Sequence, residues 1–562
     1  MSQVLFHALQ GLTAAAQTAP HARNLLAQAN PINPGSPINP GNPLNPAAPT
    51  APGSPTSPAA TPASEFPTVL LTALIFSSLA IALIILFLPE RTRDQRGRIR
   101  ILALVGTVIP LLFTLGGLNF QMGQEFSGGT VSFEEKHNWI TTFPIHATYH
   151  LGVDGISLPL LLLSTVVFTV AVLAAWKNDT RPKLFFLLLL ILETGVNGTL
   201  CSLDYVLFSV FWAMELVPSF LLIAIWGGQG RARAAQRYLV YGVISLVLLL
   251  ASAMLLAFKS DQHSFDFDLA NTVTLTKAIA YAGFWLAFAA FAIRLPVVPL
   301  HTWLPDTVTE SSPPVAFVLT GIVLKVGAYG MIRICLGAFP AGAGRFGFVL
   351  AVLAAVGTFW GFIGAVAQTD IRRLLAYTTL GQMSVVLLAV SVGQTIALNG
   401  AVLLMLAHGV GTGMLILLAG TLEDRARTRD IRRLGGLAWQ MPRLASLWVA
   451  GGLTAVGVPL FAGFAAEFMV FTGAFPVHRW VTVVVLLGML LNTGVLLWTI
   501  QRIFFGPARE AFARIKDATT LELVYLVPLV VLALLLGVFP GRLLPIINNG
   551  VTSVVSRLTS GG

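Results

Sequence analysis

From residue 67 almost to its end the chain repeats one pattern: an apolar run of roughly 20 residues, a short polar loop, then another run. Each run is long enough to cross about 30 Å of hydrocarbon as a helix. None has the ten-residue alternation of an outer-membrane barrel. The pattern predicts an all-α, polytopic membrane protein with about 14 transmembrane helices. These lie near 67–88, 99–119, 156–176, 184–203, 205–226, 238–258, 278–300, 313–336, 346–367, 374–394, 397–420, 444–475, 480–505 and 522–545. Ahead of them, "NPINPGSPINPGNPLNPAAPTAPGSPTSP" (30–58) favours extended, solvated chain. No basic segment leads there into an apolar core, so it does not read as a signal peptide. The expected division is a disordered Pro-rich tail (1–65), two transmembrane helices and a loop (66–150), a helical core (151–545) and a short C-terminal tail (546–562).

Composition agrees with the pattern. Of 562 residues, 56% are hydrophobic and 10% charged, against about 25% charged in soluble domains. The net charge of +10 would suit nucleic acid, but its placement points to topology instead. Roughly 23 of the 34 Lys and Arg fall in loops after odd-numbered spans and about six after even-numbered ones. "PERTRDQRGRIR" (89–100), "RARAAQR" (231–237) and "DRARTRDIRR" (424–433) are the densest. They belong in the cytoplasm, with both termini on the opposite side. The expected surroundings are membrane lipid and no nucleic acid. Cys201 and Cys335 are too few and too far apart for a disulfide framework, an iron–sulfur cluster or a zinc site. No Gly-rich dinucleotide fingerprint follows a strand, so no metal and no cofactor is expected in this chain.

Five ionisable residues lie well inside the apolar runs: Glu215, Arg294, Lys325, His408 and Glu467, with Glu193 as a less clear sixth. A charge at bilayer depth costs about 2.5–3.5 kcal/mol on insertion scales. Structural ion pairs are one explanation, but desolvation often cancels their attraction. A proton path requires such a series of groups. Two spans are interrupted beside these charges. The seventh carries Pro296 and Pro299 directly after Arg294, and the twelfth carries Pro459 ahead of Glu467. Proline removes a backbone donor and breaks the helix, which is tolerated at depth only against protein or a wet cavity. Paired broken helices suggest two inverted five-helix repeats, spans 4–8 and 9–13, each broken in its fourth member.

The residues around these breaks resemble a known family. "LPVVPLHTWLPDTVTE" (295–310), "LTGIVLKVGAYGMIRI" (319–334), "DIRRLLAYTTLGQMS" (370–384), "AHGVGTGMLILLAGTLEDR" (407–425), "GVDGISLPL" (152–160) and "LGGLAWQMPRL" (434–444) resemble the antiporter-like chain 4, or subunit M, of complex I. "MELVPSFLLIAIWGG" (214–228) is similar to cyanobacterial and plastid forms. The resemblance implies a proton-translocating membrane-arm subunit of an NAD(P)H or ferredoxin:quinone oxidoreductase. That makes the chain part of an enzyme while holding no redox centre itself. NAD(P)H or ferredoxin, iron–sulfur clusters and quinone are then expected in partner subunits, and the membrane-arm partners are of chain 2, chain 5 and small-subunit type. The location implied is a bacterial inner membrane, or the thylakoid if cyanobacterial. Arg294 stands where the family has the lysine of broken helix 7. Lys325 matches the helix-8 lysine, His408 the helix-11 histidine and Glu467 the acid of broken helix 12.

Three positions depart from the family. In "WAMELVP" Ala213 replaces the helix-5 acid, and Glu215 follows two positions later, about 200° further round the helix and therefore expected on another face. Arg294 replaces lysine, and Gln382 replaces a histidine and cannot titrate. Deprotonating an arginine at pH 7 costs roughly 7 kcal/mol, against about 4.6 for an unperturbed lysine. A membrane potential supplies about 2.3 kcal/mol per 100 mV. Arg294 is therefore expected to act as a fixed charge, leaving the first half-channel altered or silent while Lys325, His408 and Glu467 wire the second. Two other readings share many of these residues: a subunit of a multisubunit cation/proton antiporter or membrane hydrogenase, and a structural paralogue that has lost pumping.

Overall fold

A computed structural model describes residues 69–123, 131–142, 146–259, 263–267, 275–507 and 510–560. The expected tail at 1–65 lies outside the described residues. Helices α1 (Leu70–Phe87) and α2 (Arg93–Gly123) lead into a β-hairpin, β1 (Ser132–Ile140) and β2 (Ala147–Val153). Then follow α3 (Ser157–Ala174), α4 (Pro182–Cys201), α5 (Tyr205–Trp226), α6 (Arg231–Ala257), α7 (Lys277–Arg294), α8 (Trp303–Glu310) and α9 (Pro313–Leu336). The chain continues through α10 (Pro340–Val366), α11 (Ile371–Val392), α12 (Thr395–Ala426), α13 (Pro442–Val456), α14 (Ala462–Ala474), α15 (Arg479–Phe504), α16 (Thr520–Val538) and α17 (Pro540–Ser560).

Among the described residues, 13 helices are long and apolar enough to cross a membrane. The expected twelfth span, 444–475, brings the total to fourteen and is made of α13 and α14, which are 15 and 13 residues long. Two helices form the centre of the bundle: the apolar stretches of α9 and α12 are entirely buried, whereas only 22% of that of α16 is buried. Small residues let the central pair approach closely, as membrane helices require. A Cβ on Gly409 would lie 2.6 Å from the carbonyl oxygen of Gly321.

Two features differ from the sequence expectation. The last span was expected at 522–545 with a short tail at 546–562, but α16 stops at Val538 and Pro540 starts a new helix. The face of α17 carrying Leu543, Ile546, Ile547, Val551 and Val554 is buried, the spacing of an amphipathic helix. Its Gly550 sits against the backbone of Gly155 and Ile156, and Asn399 donates to Asn548 at 2.9 Å. The second difference is the antiparallel hairpin, which pairs Lys136 with His150 and Glu135 with Leu151. A search for long apolar runs cannot see it. The Glu135 carboxylate caps α1, accepting from the backbone of Leu71 at 2.6 Å and the hydroxyl of Thr72 at 2.5 Å, where an anion suits free N–H groups and the helix dipole.

Polar side chains hold the hairpin to the bundle. Buried His150 places Nδ1 2.8 Å from Asp266 and Nε2 2.8 Å from the half-exposed Glu134, and Lys136 lies 2.7 Å from Asp266. Asp204 accepts from the Thr148 amide at 2.9 Å while capping α5 through Val206 and Leu207. Burial opposes a charge on His150, but the hydrogen bond and charge of Asp266, aided by Glu134, outweigh burial and Lys136. The imidazole is held above its ordinary range.

Candidate functional site

Helix α7 ends at Arg294 and the chain resumes helical form only at Trp303. The interval contains Pro296 and Pro299, and the Val298–Pro299 bond is cis. Three of the last four carbonyls of α7 have partners. Phe291 accepts from the Leu295 amide and Ala292 from the Val297 amide, both at 2.8 Å. Ile293 accepts from the Trp303 indole at 2.8 Å. Arg294 is thereby fixed at the C-terminus of α7, where the helix dipole favours a cation. Its Nη2 pairs with the Glu215 carboxylate, and its Nη1 donates to the Tyr238 hydroxyl at 2.7 Å. The guanidinium lies 4.8 Å from the centre of the Trp212 ring. Glu215 is fully buried and Ala213 only half-buried. The expectation that Glu215 faces elsewhere is therefore corrected. On α5 it is position 215 that points at the broken helix, and 213 is turned toward the flank.

The end of α7 packs directly on α9, because Gly327 leaves room for the backbone at Arg294 and Leu295. Two residues earlier on α9 is Lys325, with no exposed surface. Its Nζ donates to the Thr320 carbonyl, five residues back, and lies 2.7 Å from His408 Nδ1 on α12. Residues Leu319–Val323 form a π-helical turn, a departure from α geometry common at functional sites. Among the described residues no carboxylate pairs with Lys325, and His408 Nε2 has no partner.

One turn beyond His408 on α12, Thr412 donates to Gln382 Oε1 at 3.0 Å, and Gln382 Nε2 donates to the Ala455 carbonyl at 2.5 Å. Asn492 of α15 donates to the same carbonyl at 3.1 Å. Ala455 is in the last turn of α13, so these amides satisfy the broken end of that helix. Gly457 and Leu460 then take left-handed backbone conformations on either side of Pro459. Glu467, on α14, is half-buried, with its carboxylate close against Gly457.

The structure thus brings Glu215 and Arg294 together and Lys325 and His408 together, and sets Glu467 beside the second break. Glu193 is separate: fully buried on α4, it accepts from Ser78 at 3.0 Å on the side facing α1 and α2. Sequence reasoning missed Tyr238, Thr412 and Asn492. Each is an ordinary polar residue within an apolar run, and its role depends on which helix it faces.

Residues 202–492 match the family described as the transmembrane part of NADH:quinone oxidoreductase and Mrp antiporters. The NADH-quinone oxidoreductase subunit M of Rhodobacter capsulatus is 34% identical over 81% of this chain and 90% of its own length. An NAD(P)H-quinone oxidoreductase chain 4 of Synechococcus sp. (strain JA-3-3Ab) is 32% identical over 88% of this chain and 95% of its own. Among solved structures, a chain of respiratory complex I from Thermus thermophilus aligns with a TM-score of 0.76 and 27% identity, over 86% of this chain and 99% of that one. A chain of the Mrp complex from Dietzia sp. DQ12-45-1b shares the fold, with a TM-score of 0.75 at 20% identity. With its two broken helices, its buried charges and these relatives, the chain belongs to the antiporter-like membrane subunit family of NADH:quinone oxidoreductases and Mrp antiporters.

Proposed function

We propose that the chain is a proton-translocating membrane-arm subunit of a complex I-type NAD(P)H or ferredoxin:quinone oxidoreductase. Redox chemistry takes place in partner subunits holding the nucleotide or ferredoxin, the iron–sulfur clusters and the quinone. This chain, in a bacterial inner or thylakoid membrane beside chain 2-, chain 5- and small-subunit-type partners, moves protons. Its core at 151–545 is taken to be two inverted repeats broken at α7–α8 and α13–α14.

The Lys325–His408 contact carries the proposal. Two basic nitrogens lie 2.7 Å apart on the two most deeply buried helices, and among the described residues no carboxylate is paired to the lysine. An ammonium there is expensive, so the proton is poised to leave. Thr412, Gln382 and the Ala455 carbonyl continue a polar line toward Glu467. Charges at low dielectric interact strongly, so a change of charge at one station alters its neighbours.

The test measures proton yield per electron in inverted membrane vesicles containing the whole assembly, with quinone reduction followed in the same sample. Lys325→Ala is expected to lower the yield with the complex still assembled; an unchanged yield overturns the proposal. The fold shared with the Mrp complex keeps a second reading open, cation/proton exchange. A sodium-dependent signal from vesicles without electron donor, together with exchanger partners in native mass spectrometry, would favour it.

A further inference from the structure

On the basic-loop side, the ends of α3, α5 and α12 and the starts of α4, α9 and α16 surround an open cavity of about 770 Å³, a size typical of ligand sites. All six helices are membrane spans, so the cavity lies at the depth of the lipid headgroups. Along α12 it runs from Arg425 back to Leu417, eight positions or about 12 Å. Its rim is basic: Lys177, Arg425, Arg514 and Lys516 stand against two carboxylates, Asp424 and Glu522. Glu522 is already engaged, 2.6 Å from Arg425 and accepting from the Thr519 amide at 2.7 Å. Lys177, Arg514 and Lys516 are exposed, and among the described residues no ion pair or hydrogen bond holds their side chains. The Ser312 hydroxyl, in the same lining, is buried and also has no partner. It does not cap α9, whose first two residues are prolines. A buried hydroxyl without an acceptor is uncommon. Further in, Ala174, Phe185 and Leu417 make the lining apolar.

We infer that this cavity binds one anionic phospholipid from the leaflet on the basic-loop side. Lys177, Arg514 and Lys516 hold the phosphate, and Ser312 supplies a further donor. The glycerol and the first acyl carbons lie against Phe185 and Leu417. Basic pockets between membrane helices on the cytoplasmic side suit such headgroups. A free phosphate would use the same cations but leave the apolar part of the cavity without an occupant. The bound lipid bridges the start of α16 to the ends of α9 and α12, the central pair of the bundle. This site is separate from the buried charges and does not depend on the proton-translocating reading.

Native mass spectrometry of the full chain in detergent tests this, with phosphatidylglycerol and phosphatidylcholine of the same acyl chains as probes. Phosphatidylglycerol is expected to bind the more tightly. The Arg514→Gln/Lys516→Gln double variant should weaken it about 30-fold and phosphatidylcholine little. Arg514→Lys/Lys516→Arg keeps both charges and should bind as the native chain does, which guards against misfolding of the first variant. Arg93→Gln/Arg98→Gln removes two exposed charges on the same side, outside the cavity, and should leave binding unchanged. Equal affinity for the two lipids overturns the inference. So does an equal loss in the two Gln pairs, which would mark a general surface charge effect, or a failure of the charge-keeping variant to bind. Displacement of phosphatidylglycerol by inorganic phosphate at matched ionic strength would assign the cations to a free phosphate and overturn the lipid.

Discussion

Around Arg294 the strong charges have answering groups: a carboxylate on α5, a tyrosine hydroxyl on α6, an indole face and the end of a helix dipole. Around Lys325 the neighbours are a carbonyl and an imidazole, and among the described residues no anion is paired with it. The first arrangement holds a charge in place, and the second makes a charge costly to keep. A buried ion pair is lost heavily when one partner goes, because the other is left uncompensated. A buried lone cation gains from losing its charge, because desolvation is relieved.

Mutations can break this contrast from either side. Arg294→Ala is expected to cause the largest loss of stability, about 3–5 kcal/mol, by leaving the Glu215 carboxylate alone. It should appear as reduced chain in membranes and an earlier thermal transition in detergent. The Glu215→Gln/Arg294→Ala double variant should recover much of that loss. If the two single losses simply add, the pair is not coupled. Lys325→Met should do the opposite, keeping or raising the thermal transition while lowering proton yield. A transition that falls as far as in Arg294→Ala would show both sites to be structural.

Next in size is the second break. Gly457 has a φ of 75°, and a Cβ there would lie 2.5 Å from Glu467 Oε2. Gly457→Ala should therefore cost about 1–2 kcal/mol from backbone conformation alone, and must also displace the Glu467 carboxylate. Proton yield is expected to fall more than the thermal transition does. A normal yield in a stable variant would detach Glu467 from the path.

The membrane spans, both breaks and the buried charges were legible in the sequence because each rests on a local signal. Twenty apolar residues have one stable solution in lipid, and a proline beside a charge inside such a run stands out. Pairing was not legible. The sequence puts positions 213 and 215 about 200° apart, but only the packing of α5 against α7 shows that 215 is the one that looks inward. Tyr238 and Asn492 were invisible for the same reason. The C-terminal helix was missed because Pro540 reads equally as the end of a helix and as the first residue of the next. The hairpin escaped because its nine-residue first strand has a mixed polar pattern with little burial.

The smallest expected effect concerns the hairpin, far from both charge sites, and tests whether ion pairs outside the membrane behave as those inside do. His150 faces Asp266 and Glu134, with Lys136 also on Asp266 and Asp204 bound to the same Thr148 side chain. Its folded pKa lies above the ordinary value. The imidazolium therefore contributes stability that is complete below about pH 6.5 and is lost as pH rises through the higher folded value. Amides of β1 and β2 should exchange hydrogen faster at about pH 9 than at about pH 6, after correction for intrinsic rates, because local opening becomes easier. Exchange within α9 and α12 should not change between the two conditions. His150→Gln keeps a hydrogen-bonding side chain without the charge and should remove the pH dependence of the hairpin. If that variant retains it, the dependence belongs to the neighbouring Lys136 or the carboxylates. The contrast between a held charge and a costly one would then stop at the membrane surface.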